Sequence, residues 1–75
     1  MRDLVEYIAR SVVSHPDSVE VRVTEDEQAT YIELHVAPSD AGKVIGRQGR
    51  VANAMRALLR AAAARQGRRA VLDIV

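Results

Sequence analysis

From Val19 to Thr24, and again between Ala29 and Ala37, the chain alternates inward and outward residues, and on both sides of that stretch the apolar residues recur at helical spacing. A period of two belongs to a strand with one buried face; a period near 3.6 belongs to a helix with one buried stripe. A chain of 75 residues with both patterns must fold its strands against its helices, because neither kind of element buries its apolar face alone. The first predicted strand runs from Val19 to Thr24, with Val19, Val21 and Val23 inward and Glu20, Arg22 and Thr24 outward. Glu25-Asp26-Glu27-Gln28 is a solvated turn. The second strand spans Ala29 to Ala37, with Thr30, Ile32, Leu34 and Val36 inward and Tyr31, Glu33 and His35 outward, until Pro38 ends it. Two alternating strands joined by a short polar link predict an antiparallel hairpin.

The flanks are helical. Residues 3–13 place Leu4, Val5, Ile8 and Val12 on one face, with Asp3, Glu6 and Arg10 opposite and Glu6–Arg10 as an i,i+4 pair. Ser14-His15-Pro16-Asp17 ends that helix, since proline disfavours helical geometry in the residue before it. Beyond Pro38, Ser39 or Asp40 can cap a short helix that reaches about Val44-Ile45. Gly46 and Gly49 bracket a tight turn, and a longer helix follows from about Arg50 to Arg65. Its predicted core stripe is Val51, Met55, Leu58, Leu59 and Ala62, and its outer stripe is Asn53, Arg56 and Arg60. Gly67 is placed to terminate it, and Arg69 to Val75 forms a third strand. The expected order is α-β-β-α-α-β in a single α+β domain over residues 1–75.

Composition narrows the function. The chain has no cysteine, so disulfides and thiolate metal sites are excluded and a cytoplasmic location is expected. Arg56, Arg60 and Arg65 interrupt the longest apolar stretch, which leaves no membrane span, and Asp3 and Glu6 do not suit a signal peptide. With no cysteine, and no carboxylate pair recognisable beside His15 or His35, no metal or acid–base role is expected of them. No nucleophile, base and oxyanion site assemble; no enzyme, cofactor or small-molecule substrate is expected. Net charge is +1 but unevenly spread. Residues 1–40 hold three arginines and nine carboxylates, a net −6, whereas residues 41–75 hold Lys43 and seven arginines against Asp73 alone, a net +7. Such a division points to a basic face for an anionic partner, unless the halves cancel by folding against each other.

The basic half contains Gly42-Lys43-Val44-Ile45-Gly46-Arg47-Gln48-Gly49-Arg50. Two glycines three apart let the backbone turn tightly and bring its N–H groups close to a ligand. The turn opens onto a helix N-terminus, where unpaired amides and the helix dipole favour an anion. Lys43, Arg47 and Arg50 can add charge-assisted contacts to phosphate, and Val44 and Ile45 can floor an apolar groove. Arg56 is a possible further contact. A Walker A loop is excluded because Val44 follows Gly42-Lys43, and a dinucleotide fingerprint because Val44 occupies the position of its first glycine.

With its helical flanks, this stretch resembles the signature of KH domains, whose GXXG loop joins two helices and clamps about four nucleotides. The element order resembles the type II KH topology along the whole chain, and implies a three-stranded sheet with three helices on one face. Gly42 to Ala52, followed by Ala54-Met55-Arg56, is similar to the small bacterial single-domain KhpA family. That resemblance implies a non-catalytic single-stranded RNA binder, an RNA chaperone or post-transcriptional regulator, with RNA contacts at Lys43, Val44, Ile45, Gly46, Arg47, Gln48, Gly49 and Arg50. It also implies a homodimer, or a heterodimer with a larger KH-containing protein. Two tyrosines and no Phe or Trp leave little for bases to stack on, which suits a backbone clamp better than an RRM or OB-fold. Two alternatives stay open: a dimerising adaptor, suggested by the alanine-rich long helix, and a ribosome-maturation factor of KH-like fold. Three neutralised phosphates predict about a 20-fold loss of affinity between roughly 50 and 200 mM salt.

Overall fold

A computed structural model describes all 75 residues. Helix α1 (Arg2–Val12) is followed by a single 3₁₀ turn (Pro16–Ser18), strands β1 (Glu20–Glu25) and β2 (Ala29–His35), and a second 3₁₀ turn (Pro38–Asp40). Then come α2 (Ala41–Ile45), a third 3₁₀ turn (Arg47–Gly49), α3 (Arg50–Ala64) and β3 (Arg69–Ile74). The α-β-β-α-α-β order and the α+β class stand as expected.

The hairpin register pairs Glu20 with His35 and Glu25 with Thr30. Its turn is held by Asp26, whose carboxylate accepts from the amides of Gln28 and Ala29, both at 2.8 Å. These two bonds hold the Asp26 carboxyl below the usual aspartate value. Strand β3 lies beside β2 in parallel, Ala29 opposite Arg69 and Leu34 opposite Ile74, so the sheet order is β1-β2-β3. Parallel neighbours require a crossover, and the crossover here is the α2–turn–α3 unit itself. The sheet thereby fixes both ends of the segment that carries the two-glycine turn.

One sheet face is covered by helices. Val21, Thr30, Ile32, Leu34 and Leu72 are buried there, while Arg22, Tyr31, Glu33, Val71 and Asp73 on the other face are exposed. Val5 and Ala9 of α1 and Met55 and Leu59 of α3 complete the core. Each large side chain removed from water contributes roughly 1.5–3 kcal/mol. Ala9 is fully buried; its short side chain lets α1 sit close to the sheet, and the apolar face read for residues 3–13 did not include it.

The expected inward set needs three corrections. Val23 is 38% exposed, because it lies near the hairpin end of the outermost strand. Leu4 is 36% exposed, at the margin of the α1 apolar face. Leu58 is 49% exposed, and the buried row of α3 is Ala52, Met55, Leu59 and Ala63. Leu58 shares the exposed flank of α3 with Ala54, Ala57 and Ala61. Gly67 terminates α3 as expected: its φ is 68°, its amide donates to Ala64 O at 3.1 Å, and the Arg68 amide donates to Ala63 O at 3.0 Å. These are the two bonds of a Schellman motif.

Candidate nucleic-acid interface

The turn between α2 and α3 is shaped by three consecutive demands on its backbone. The Gly46 amide closes the last turn of α2 on Gly42 O at 2.9 Å, after which Gly46 takes φ 78° and ψ 170°. A Cβ there would stand 2.6 Å from Val51 Cγ2 and 2.9 Å from the Val51 amide nitrogen. Gly46 is therefore required twice, for its torsion and for the contact with the first turn of α3. Gln48 at φ 58° and Gly49 at φ 75° are both left-handed, and the Gly49 amide donates to Gly46 O at 3.1 Å. A left-handed conformation at a non-glycine residue costs about 1 kcal/mol. Backbone strain at an exposed turn is the kind that accompanies a functional site.

Helix α3 starts from Gly49 without a side-chain cap and with no acidic residue in its first turn. The Gly49 and Arg50 amides close 3₁₀ bonds on Gly46 O and Arg47 O, and the helix dipole leaves partial positive charge at this end. Arg47, Gln48 and Arg50 are exposed around this end. Ile45, 43% exposed, adds an apolar edge beside the turn.

The expected site residues divide into four groups. Ile45, Gly46, Arg47, Gln48, Gly49 and Arg50 lie together at the turn. Val44 does not: it is fully buried and belongs to the core, so it holds α2 against the molecule and offers no surface to a base. Lys43 points elsewhere. Its ammonium contacts the Ser14 hydroxyl and stands 3.6 Å from Asp40 Oδ1, so it is engaged with the end of α1. Arg56 lies farther along α3, half-buried, with Nη2 3.4 Å from Leu72 O; that weak contact aims it along β3.

Asp40 is the residue that the sequence reading misassigned. It makes no cap bond to α2. It is instead 1% exposed and accepts from the amides of Ser14 (3.1 Å) and His15 (3.0 Å), while its Oδ2 stands 3.1 Å from His15 Nδ1. Burial pushes the Asp40 carboxyl up, but the Ser14 and His15 hydrogen bonds and the His15 charge outweigh it and hold the group below the usual value. Asp40 thus staples the end of α1 to the start of α2 and helps fix the turn. His15 gains a carboxylate partner 25 residues away in sequence, and no local pattern could have revealed that pair.

The two oppositely charged halves do not cancel. Only Lys43–Asp40 (3.6 Å) and Arg68–Glu25 (3.7 Å) pair across them, and Arg47, Arg50, Arg56, Arg60, Arg65 and Arg69 make no ion pair. A concentration of unpaired guanidinium groups on α3, its leading turn and β3 remains free for an anionic partner.

Residues 2–74 match the family model described as KhpA/KhpB, KH domain. The chain belongs to the KhpA/KhpB family of KH domains. A protein named "RNA-binding protein KhpA" from Halalkalibacterium halodurans is 52% identical over 75 residues, covering 100% of this chain and 99% of the relative. Another of that name from Clostridium acetobutylicum is 48% identical over 75 residues, all of both chains. A third, from Borreliella burgdorferi, is 48% identical over 73 residues, 97% of this chain and 89% of the relative. KH domains carry a GXXG loop between two helices, and Gly46-Arg47-Gln48-Gly49 occupies that place here. The KH assignment also accounts for the three-stranded sheet covered by helices on one face.

Proposed function

We propose that this KH domain is a non-catalytic, cytoplasmic, single-stranded RNA-binding protein that holds the RNA backbone in the Gly46–Gly49 loop. The observation that carries this reading is an uncapped α3 N-terminus flanked by Arg47 and Arg50, neither of which has an ion partner. The positive end of the α3 dipole receives phosphate, the two guanidinium groups neutralise it, and Ile45 contacts a base or ribose edge. The name shared by the relatives supports RNA as the ligand. With Lys43 occupied by Ser14 and Asp40, two charge contacts remain. The single-strand slope of about −0.7 per contact then predicts roughly a 7-fold affinity loss between about 50 and 200 mM salt.

A clamp for about four nucleotides binds weakly alone, so avidity through a dimer suits a role as RNA chaperone or post-transcriptional regulator. The α3 face bearing Ala54, Ala57, Leu58 and Ala61 is exposed, and it supports pairing with a second copy or a larger KH-containing protein. The test is a salt titration of binding to a short single-stranded RNA pool, wild type beside Arg47→Asp/Gln48→Asp. Salt-sensitive binding that the double variant loses, with unchanged circular dichroism, is the expected result. Equal affinity in the two proteins would remove the loop from the site and leave the dimerising adaptor as the better reading.

A further inference from the structure

At the opposite end of α3 from the loop, a cleft of about 450 Å³ lies between that helix and the start of β3, lined by Arg60, Arg68, Arg69, Ala70 and Val71. Three guanidinium groups line it and no carboxylate does. Arg68 is already committed: it reaches Asp26 O, Ala29 O at 3.1 Å and Glu25 at 3.7 Å, and so ties the hairpin turn to β3. Arg60 and Arg69 are different. Both are exposed and neither has an ion partner; Arg60 makes only a weak 3.4 Å contact to Arg56 O in its own helix. Half-buried Ala70 on the helix-covered face and Val71, 38% exposed on the other face, bring apolar surface to the β3 edge beside them. Two unpaired cations beside apolar surface suit a phosphodiester with its attached ribose or base.

The cleft also has a position that matters. Arg56 and Arg60 are four residues apart on the α3 flank facing β3, where Arg56 reaches toward Leu72 O. Arg60 lies ten residues beyond Arg50, about 15 Å along the helix. We propose that the Arg60–Arg69 cleft is a second phosphate-binding subsite for RNA, engaging nucleotides beyond the four or so held at the loop. Arg56 marks the path between the two. This rests on the RNA-binding reading, and the loop and the cleft can be tested apart.

The experiment compares fluorescence anisotropy of a single-stranded RNA 4-mer and 10-mer, with wild type, Arg60→Gln/Arg69→Gln and the loop variant Arg47→Asp/Gln48→Asp. The cleft variant should bind the 4-mer as wild type does and lose roughly 10- to 30-fold on the 10-mer near 0.1 M salt. Its salt slope on the 10-mer should shrink by about 1.4, two contacts at about 0.7 each. Comparing variant with wild type on the same RNA removes the statistical gain that any longer strand offers. An unchanged 10-mer affinity and slope would overturn the subsite, and so would an equal loss on both lengths, which marks a general charge effect. Failure of the loop reading looks different: there the loop variant keeps wild-type affinity for the 4-mer.

Discussion

The two ends of α3 are both turned by a glycine at positive φ, yet they are built for different work. At the C-terminal end, Gly67 (φ 68°) has nothing within 4 Å of a Cβ position, and the Schellman bonds satisfy the last carbonyls within the chain. At the N-terminal end, Gly46 (φ 78°) is pressed against Val51, Gln48 is held left-handed, and the leading amides have no side-chain cap. One end is closed on itself; the other is strained and left open. The open end also carries the favourable pole of the helix dipole, so its backbone can receive an anion directly. At the closed end backbone carbonyls repel phosphate, and only side chains such as Arg60 and Arg69 can attract it.

The largest expected difference between the ends is in stability. Gly46→Ala adds overpacking against Val51 to the torsional penalty and should cost about 3 kcal/mol, a large share of what a domain of this size has. Gly67→Ala meets only the torsional penalty, about 1 kcal/mol. Urea denaturation of the two variants measures both; equal losses would mean that the Val51 contact is unimportant. Next in size is RNA affinity. Arg47→Gln/Arg50→Gln should weaken binding to a 4-mer by roughly 20-fold near 0.1 M salt, whereas Arg65→Gln at the far end should change it less than about twofold. Equal effects would erase the distinction between the ends.

A smaller effect should change sign from one end to the other. Gln48→Gly releases a left-handed residue and should raise stability by about 0.5 kcal/mol after the entropy gained by the unfolded chain. Gln66→Gly, where φ is not positive, gains no such relief and should lower stability by a similar amount. The smallest expected effect is on the acid limb of the stability profile. The Asp40 carboxyl lies below its ordinary value in the folded state. Its contribution is therefore fully present above the unfolded aspartate value near pH 4 and disappears as pH falls through the folded one. Asp26 and Glu20 are lowered as well, so Asp40→Asn should flatten only part of the loss seen in wild type below about pH 4. An unaltered acid limb in Asp40→Asn would mean that the staple contributes nothing to the pH dependence.

The hairpin was readable because a strict period of two leaves one choice of inward face. The glycine loop was readable because its chemistry is contiguous: turn residues, neighbouring arginines and a following helix all lie within nine positions. The core stripe of α3 was less readable. Alanine is apolar and small enough for either face, so the pattern could not separate Ala52 and Ala63, which are buried, from Leu58, which is not. Burial of α3 depends on which flank the rest of the fold covers, and the sequence pattern of the helix alone does not say. Val44 and Lys43 were placed at the site by adjacency in sequence, but on a helix adjacent residues point in different directions. One went to the core and the other to Ser14 and Asp40.

By itself, the sequence determined the order of elements, the hairpin with its inward face, and the loop of two glycines before a basic helix. These are local properties, encoded in periodicity and in torsions that few residues tolerate. Only the tertiary structure decided that β3 joins β2 in parallel, that Asp40 leaves its own helix to staple α1, and that Arg60 and Arg69 share a cleft. Each of these depends on groups distant in the chain meeting in space, and the energy that selects them comes from burial and hydrogen bonding across the fold.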